Sequence, residues 1–180
     1  MFLTSAGFEN KKVGRKALEA TGKRPEELKA LFVPTAAVTP RQQAILPLCL
    51  GEIRELGLKP ENILEVEVAD IAKLGDIKAY DLMYVAGGDT EHLTKEMRTH
   101  GFKERIDRFL ENGVYVGVSA GSIALSGESA DCLGYLPCGL RVHEEVGDAP
   151  GDVAIVPGGT VRLTDNQVLI LENGRVLVFE

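Results

Sequence analysis

No run of apolar residues in this chain reaches the length needed to cross a bilayer, so no membrane-spanning helix is expected. No basic patch interrupts the mixture of acid and base, and the net charge of -7 has the wrong sign for a polyanionic partner, which argues against nucleic acid. Cysteine is scarce. Cys49, Cys132 and Cys138 are an odd set without metal-ligand spacing, which points away from a disulfide framework or a zinc site and toward a reducing, cytoplasmic setting. Histidine is equally sparse, and His92, His100 and His143 make no recognised ligand pattern with Asp89, so neither a metal nor another cofactor is expected. Neither G-x-G-x-x-G nor G-x-x-x-x-G-K is completed, which speaks against a phosphate cradle. The first seven residues carry no charged leader and run straight into an apolar stretch, so no signal peptide is expected.

What the chain does have is material for one compact domain over residues 1–180, with 44% hydrophobic residues and no internal repeat or linker. Short apolar runs read as strands at Phe2 to Ser5, Leu31 to Val33, Ile63 to Val68, Leu82 to Ala86 and Val114 to Val118. Helical stretches lie between them. Lys12 to Thr21 is one, and Thr39-Pro40 opens another with a hydroxyl cap and a first-turn proline, running toward Gly57 with a kink at Pro47. Ile71, Leu74 and Ile77 mark a short connecting helix, and Thr90 to Thr99 and Phe102 to Asn112 are each closed by a glycine. Alternation of strand and helix argues for an open, mostly parallel sheet covered on both faces, with any site beyond the C-terminal ends of the strands. Ser126 to Leu140 is irregular. From residue 153 onward Val161 to Leu163, Val168 to Leu171 and Val176 to Phe179 read as antiparallel strands, with turns at Asp165-Asn166 and Asn173-Gly174.

The stretch that carries chemistry is Val114 to Ser122, a buried-strand pattern breaking into Gly117-Val118-Ser119-Ala120-Gly121 and then into a helix-capable run. This is the pattern of a nucleophile elbow, in which a sharp strand-to-helix turn exposes a serine hydroxyl and glycines permit close backbone approach. An activated serine needs a base within reach and an acid to orient it. His143, at the end of the strand-like Gly139 to Val142, is the candidate base, whereas His92 and His100 fall in a helical stretch as ordinary polar positions. Between Ser119 and His143 the carboxylates are Glu128 and Asp131, and Glu144, Glu145 and Asp148 after the histidine are not excluded by spacing. Gly87-Gly88-Asp89-Thr90 has the chemistry of half an oxyanion hole, with the Ala120 N–H as its partner.

Phe2-Leu3-Thr4-Ser5, Phe32-Val33-Pro34-Thr35-Ala36-Ala37, Gly87 to Leu93 and Gly117 to Ser122 occur in the order and at spacings like those of the aspartyl dipeptidase (peptidase E) and cyanophycinase family of serine peptidases. The likeness spans about the first 127 residues and resumes near Leu136 to His143 and at the final hairpin, so the chain resembles a shortened member. The resemblance implies a three-layer α/β/α fold, class I glutamine-amidotransferase-like or flavodoxin-like, with a mostly parallel sheet and a C-terminal β-hairpin. It also implies Ser119 as nucleophile, His143 as base, Gly88 and Ala120 as oxyanion donors, and Asp131 as the acid by alignment of residues 127–131. The expected activity is hydrolysis of small peptides through an acyl-enzyme, without a cofactor. An esterase or amidase, or a fold relative that has become a binding protein, are the alternatives. A homodimer through an exposed strand or helix pair would be ordinary. The stretch from Glu144 to Gly159 lacks the arginine that would pair with a substrate aspartyl carboxylate in the aspartyl dipeptidases.

Overall fold

The computed structural model of the chain describes residues 1–71, 73–127 and 129–180. Among them no helix is long and apolar enough to cross a membrane. Ten strands are formed, β1 (Phe2–Thr4), β2 (Ala30–Val33), β3 (Ile63–Glu65), β4 (Leu82–Val85), β5 (Val114–Val118), β6 (Gly139–Arg141), β7 (Gly151–Asp152), β8 (Thr160–Arg162), β9 (Val168–Glu172) and β10 (Arg175–Phe179). The helices are α1 (Lys11–Glu19), α2 (Pro40–Gln43), α3 (Leu46–Glu55), α4 (Val68–Ile71), α5 (Thr90–Thr99), α6 (Phe102–Phe109) and α7 (Ala120–Ile123).

Eight strands form one sheet in the order β3-β2-β4-β5-β1-β9-β10-β7. The first five run parallel, and the hairpin β9-β10 joins antiparallel at β1. The period-2 geometry of the strands sends alternate side chains to opposite faces, which explains why the central strands are apolar throughout. Tyr115, Met83, Val85 and Leu31 point into a core shared with Leu93, Met97, Phe102, Ile106 and Phe109 of α5 and α6. Val114, Val116, Leu82, Tyr84 and Phe32 point the other way, against Val13 and Ala17 of α1 and Ile53 of α3. The result is the expected three-layer α/β/α arrangement.

Three local expectations are corrected. Pro47 does not kink a long helix. Its ring would clash with the carbonyl four residues back and it has no N–H to offer, so the chain breaks after Gln43 and restarts as α3 with Pro47 in the first turn. The preceding α2 is closed by a capping box, in which the Thr39 hydroxyl accepts from Gln42 N and the Gln42 side chain accepts from Thr39 N. The strand expected to reach Val68 stops at Glu65, because the Val68 N–H turns away to the Thr35 hydroxyl and opens α4. The run at Val161 lies outside the antiparallel group. Residues Thr160–Arg162 pair parallel to β6 in a separate two-stranded sheet, since β7 already occupies the edge of β10. The turn at Asn173-Gly174 has both residues at positive φ, as a tight hairpin between β9 and β10 requires.

Truncating Ile106, fully buried on the inner face of α6, is expected to cost about 2–5 kcal/mol by urea denaturation. Leu48→Ala, at a side chain 67% exposed, is expected to cost less than about 0.5 kcal/mol. Equal losses at the two positions would contradict this layering.

Candidate functional site

Strand β5 ends at Val118 and α7 begins at Ala120, so Ser119 has to reverse the chain by itself. It does so at φ 48°, ψ -107°, outside the regions that non-glycine residues favour. Such a conformation costs on the order of 1–3 kcal/mol and persists only where the surroundings hold it. They do so here with a set of short hydrogen bonds. Ser119 N donates to the Thr4 carbonyl (3.0 Å), and Ser122 Oγ donates to the same oxygen (2.7 Å). The buried Tyr115 hydroxyl donates to the Gly121 carbonyl (2.8 Å), and Thr4 Oγ1 donates to the Gly117 carbonyl (2.8 Å). Two glycines admit the close approach. A Cβ on Gly117 would lie 2.6 Å from the Gly121 oxygen, and one on Gly121 would lie 2.4 Å from the Val85 oxygen.

Ser119 is half-buried, and its hydroxyl stands 3.1 Å from His143 Nε2. His143 follows β6 in the left-handed region at φ 59°. Its Nδ1 lies 2.7 Å from Asp165 Oδ1, and its backbone N–H donates to Ser5 Oγ (2.7 Å). The Ser5 hydroxyl in turn donates to Asp165 Oδ1 (2.7 Å). Ser5, which is fully buried, therefore ties the backbone of the histidine to the carboxylate that faces its ring. Gln167, also buried, accepts from Thr164 N and donates to the Asp148 carbonyl, fastening the loop after His143 to the turn that carries Asp165. Burial works to raise the Asp165 carboxyl. The hydrogen bonds from Ser5 and His143, together with the histidine's charge, outweigh it and hold the group below its ordinary value.

Of the residues expected at the site, Ser119 and His143 are brought together. Gly88 lines the same cleft as Ser119, and Ala120 follows it as the first residue of α7. Gly88 adopts φ 151°, and a Cβ there would lie 2.0 Å from the Ala36 oxygen, so no other residue fits this turn as it stands. The expectation of Asp131 as the acid is corrected. The segment 129–136 folds back on the far end of α7, with Leu133 N bonded to the Ala124 carbonyl and Tyr135 N to that of Leu125. This draws Asp131 to Arg98 of α5, in an ion pair whose carboxylate is 72% exposed. Glu128, the other carboxylate between the serine and the histidine, lies outside the described residues. Asp148 is engaged by the backbone of Arg162. The carboxylate that reaches His143 is Asp165, which the sequence offers only as half of a turn, and Ser5 likewise carries no local signal of its part. His92 supplies a backbone N–H to the Asp89 cap, and His100 pairs with Glu96 at 3.4 Å.

A cleft of about 500 Å³ opens beside Ser119 and His143 and extends along α3. With this geometry in view, the sequence profile of peptidase family S51 matches residues 1–132. Among solved structures, a Listeria monocytogenes EGD-e protein assigned to peptidase E aligns over 99% of this chain and 96% of its own, at 17% identity and a TM-score of 0.71. A peptidase from an acI-B1 Actinobacterium aligns over 99% of this chain and 86% of its own, at 16% identity and a TM-score of 0.64. At these identities the two structures speak for the fold. No curated protein matches the chain.

Two outcomes follow from the geometry. Gly121→Ala must push the elbow away from Val85 and is expected to cost about 1–3 kcal/mol in thermal or urea denaturation; an unchanged transition would contradict the contact. The carboxyl of Asp165 is lowered in the folded state, so its contribution to stability is present above its unfolded pKa and lost as pH falls through its folded one. Wild type should therefore have a higher Tm than Asp165→Asn near neutral pH, the gap closing below the usual carboxylate range. A gap that widens on acidification would contradict the assignment of these hydrogen bonds.

Proposed function

Because the chain belongs to peptidase family S51 and is accordingly a serine-type peptidase of the peptidase E-like kind, we propose that it hydrolyses small peptides with Ser119 as nucleophile, His143 as general base and Asp165 as the acid that orients the base. The observation that carries this reading is the unbroken line from Asp165 Oδ1 through the imidazole to Ser119 Oγ, at 2.7 Å and 3.1 Å, ending on a serine in a strained elbow. Hydrogen-bond reach from nucleophile to base and from base to carboxylate is the geometric requirement of this chemistry.

In the proposed reaction Asp165 accepts from His143 Nδ1–H, which leaves Nε2 as the acceptor facing the serine. Ser119 Oγ attacks the scissile carbonyl as its proton passes to Nε2, and the carbonyl oxygen takes up negative charge. The N–H groups of Gly88 and Ala120 are the proposed donors to that oxygen, in keeping with a glycine turn that admits close approach and with the N-terminus of α7. The imidazolium then gives its proton to the leaving amine, an acyl-enzyme remains, and water activated by the same histidine releases it. Ser5 acts as a positioning residue, because its hydroxyl bonds to both His143 N and Asp165.

The test is a peptidase assay on a panel of dipeptides with the two candidate acids compared. Asp165→Asn is expected to lower kcat by about a thousandfold or more, while Asp131→Asn stays within about twofold of wild type. A collapse of activity in Asp131→Asn with Asp165→Asn unaffected would overturn the assignment.

A further inference from the structure

The cleft beside Ser119 has a second chemical character that the hydrolytic reading leaves unused. Its walls near the serine are apolar, formed by Ala86 and Val118 at the strand ends and by Leu46 and Cys49 of α3. Farther along α3 it is lined by Glu9, Glu52 and Glu55, and neither lysine nor arginine is among its lining residues. The three carboxylates are not equivalent. Glu55 is bonded to Lys11 (2.5 Å), and Glu9 is exposed. Glu52 is half-buried and held from two directions by neutral donors, Phe8 N at 2.9 Å and the Tyr84 hydroxyl at 3.3 Å. No ion pair reaches it among the described residues. Burial, the largest influence, holds its carboxyl above the ordinary value against the hydrogen bonds from Phe8 and Tyr84 and the weaker pull of Lys11. A fixed carboxylate that lacks a compensating cation is a site that a ligand cation would complete.

Gly87 touches Ser119, since a Cβ there would lie 3.2 Å from the serine Cβ. Tyr84, three residues earlier on β4, donates its hydroxyl to Glu52. Ser119 and Glu52 thus line one cleft, with Ala86, Val118, Leu46 and Cys49 as its apolar walls. An apolar passage closed by a carboxylate matches a lysine or arginine side chain, whose methylene stem buries against apolar surface while its charge seeks an acid.

We propose that this cleft is the subsite for a lysine or arginine side chain of the substrate, with the stem against Leu46, Ala86 and Val118 and the charge against Glu52. The inference rests on the peptidase reading of Ser119. A substrate aspartate or glutamate would meet the carboxylates of Glu9, Glu52 and Glu55 here, which agrees with the lack of an arginine from Glu144 to Gly159.

The experiment compares aminoacyl p-nitroanilides of Lys, Arg, Leu and Asp with wild type and with Glu52→Gln, whose amide oxygen keeps an acceptor for Phe8 N–H. The proposal expects kcat/KM for Lys or Arg to exceed that for Asp by about tenfold or more, and the Lys-to-Leu ratio to fall about tenfold in Glu52→Gln. Preference for Asp, or a Lys-to-Leu ratio unmoved by Glu52→Gln, would overturn it. Calorimetry of Lys-Ala, Leu-Ala and Asp-Ala binding to Ser119→Ala reads the subsite without turnover. Tightest binding of Lys-Ala there supports the subsite even if wild type cleaves nothing, in which case the hydrolytic reading alone fails. Equal binding of the three, or tighter binding of Asp-Ala, overturns the subsite.

Discussion

The site depends first on how closely one strand end can turn into a helix. At Ser119 the backbone leaves the favoured regions, and it can do so because Gly117 lets α7 close on β5 and Gly121 lets α7 close on Val85 of β4, each within a distance that a Cβ would block. The strain is held by hydrogen bonds from the next strand. The Thr4 carbonyl of β1 takes both the Ser119 N–H and the Ser122 hydroxyl, so the elbow cannot relax without breaking the end of its neighbour. Helix α7 and the central sheet thus fix the hydroxyl's position before a substrate arrives, which is what preorganisation of a nucleophile requires.

The second dependence is on the pairing of β9 with β1. Because β9 runs antiparallel to β1 with Val168 opposite Thr4, the residues just before β9 arrive at the C-terminal edge of the parallel strands. Asp165 is three residues before Val168, and Ser5 is one residue after Thr4. The two hydroxyl and carboxyl groups meet there, and the histidine, carried by the loop after β6, is received between them. The small parallel sheet of β6 and β8 and the buried Gln167 keep that loop in place. A hairpin that would otherwise only extend the sheet thereby delivers the carboxylate facing His143.

The pattern of apolar runs, caps and glycine stops was sufficient for the layered fold, because each of those signals is local: Thr90 to Thr99 and Val114 to Val118 stand where the sequence puts them. The strand-to-helix turn at Ser119 is legible for the same reason, since Gly117, Ser119 and Gly121 are within five residues of one another. Pro47 is ambiguous in sequence because a proline can either bend a helix or begin one, and the choice depends on the chain before it. Sequence order and alignment of the loop point to Asp131 and leave Asp165 outside the candidate acids, because neither carries position in space. Whether a hairpin docks at β1 or elsewhere is a nonlocal matter, and so the part of Asp165 and Ser5 had no signature within their own segments. The Arg98 that captures Asp131 is likewise 33 residues distant in sequence.

Intact-protein mass spectrometry after incubation with a fluorophosphonate reads whether Ser119 is the activated nucleophile proposed above. A single adduct on Ser119 is expected in wild type, none in Ser119→Ala, and labelling in His143→Ala slowed to near the background of an ordinary surface serine. No adduct on well-folded wild type, or equal labelling with and without His143, would contradict it.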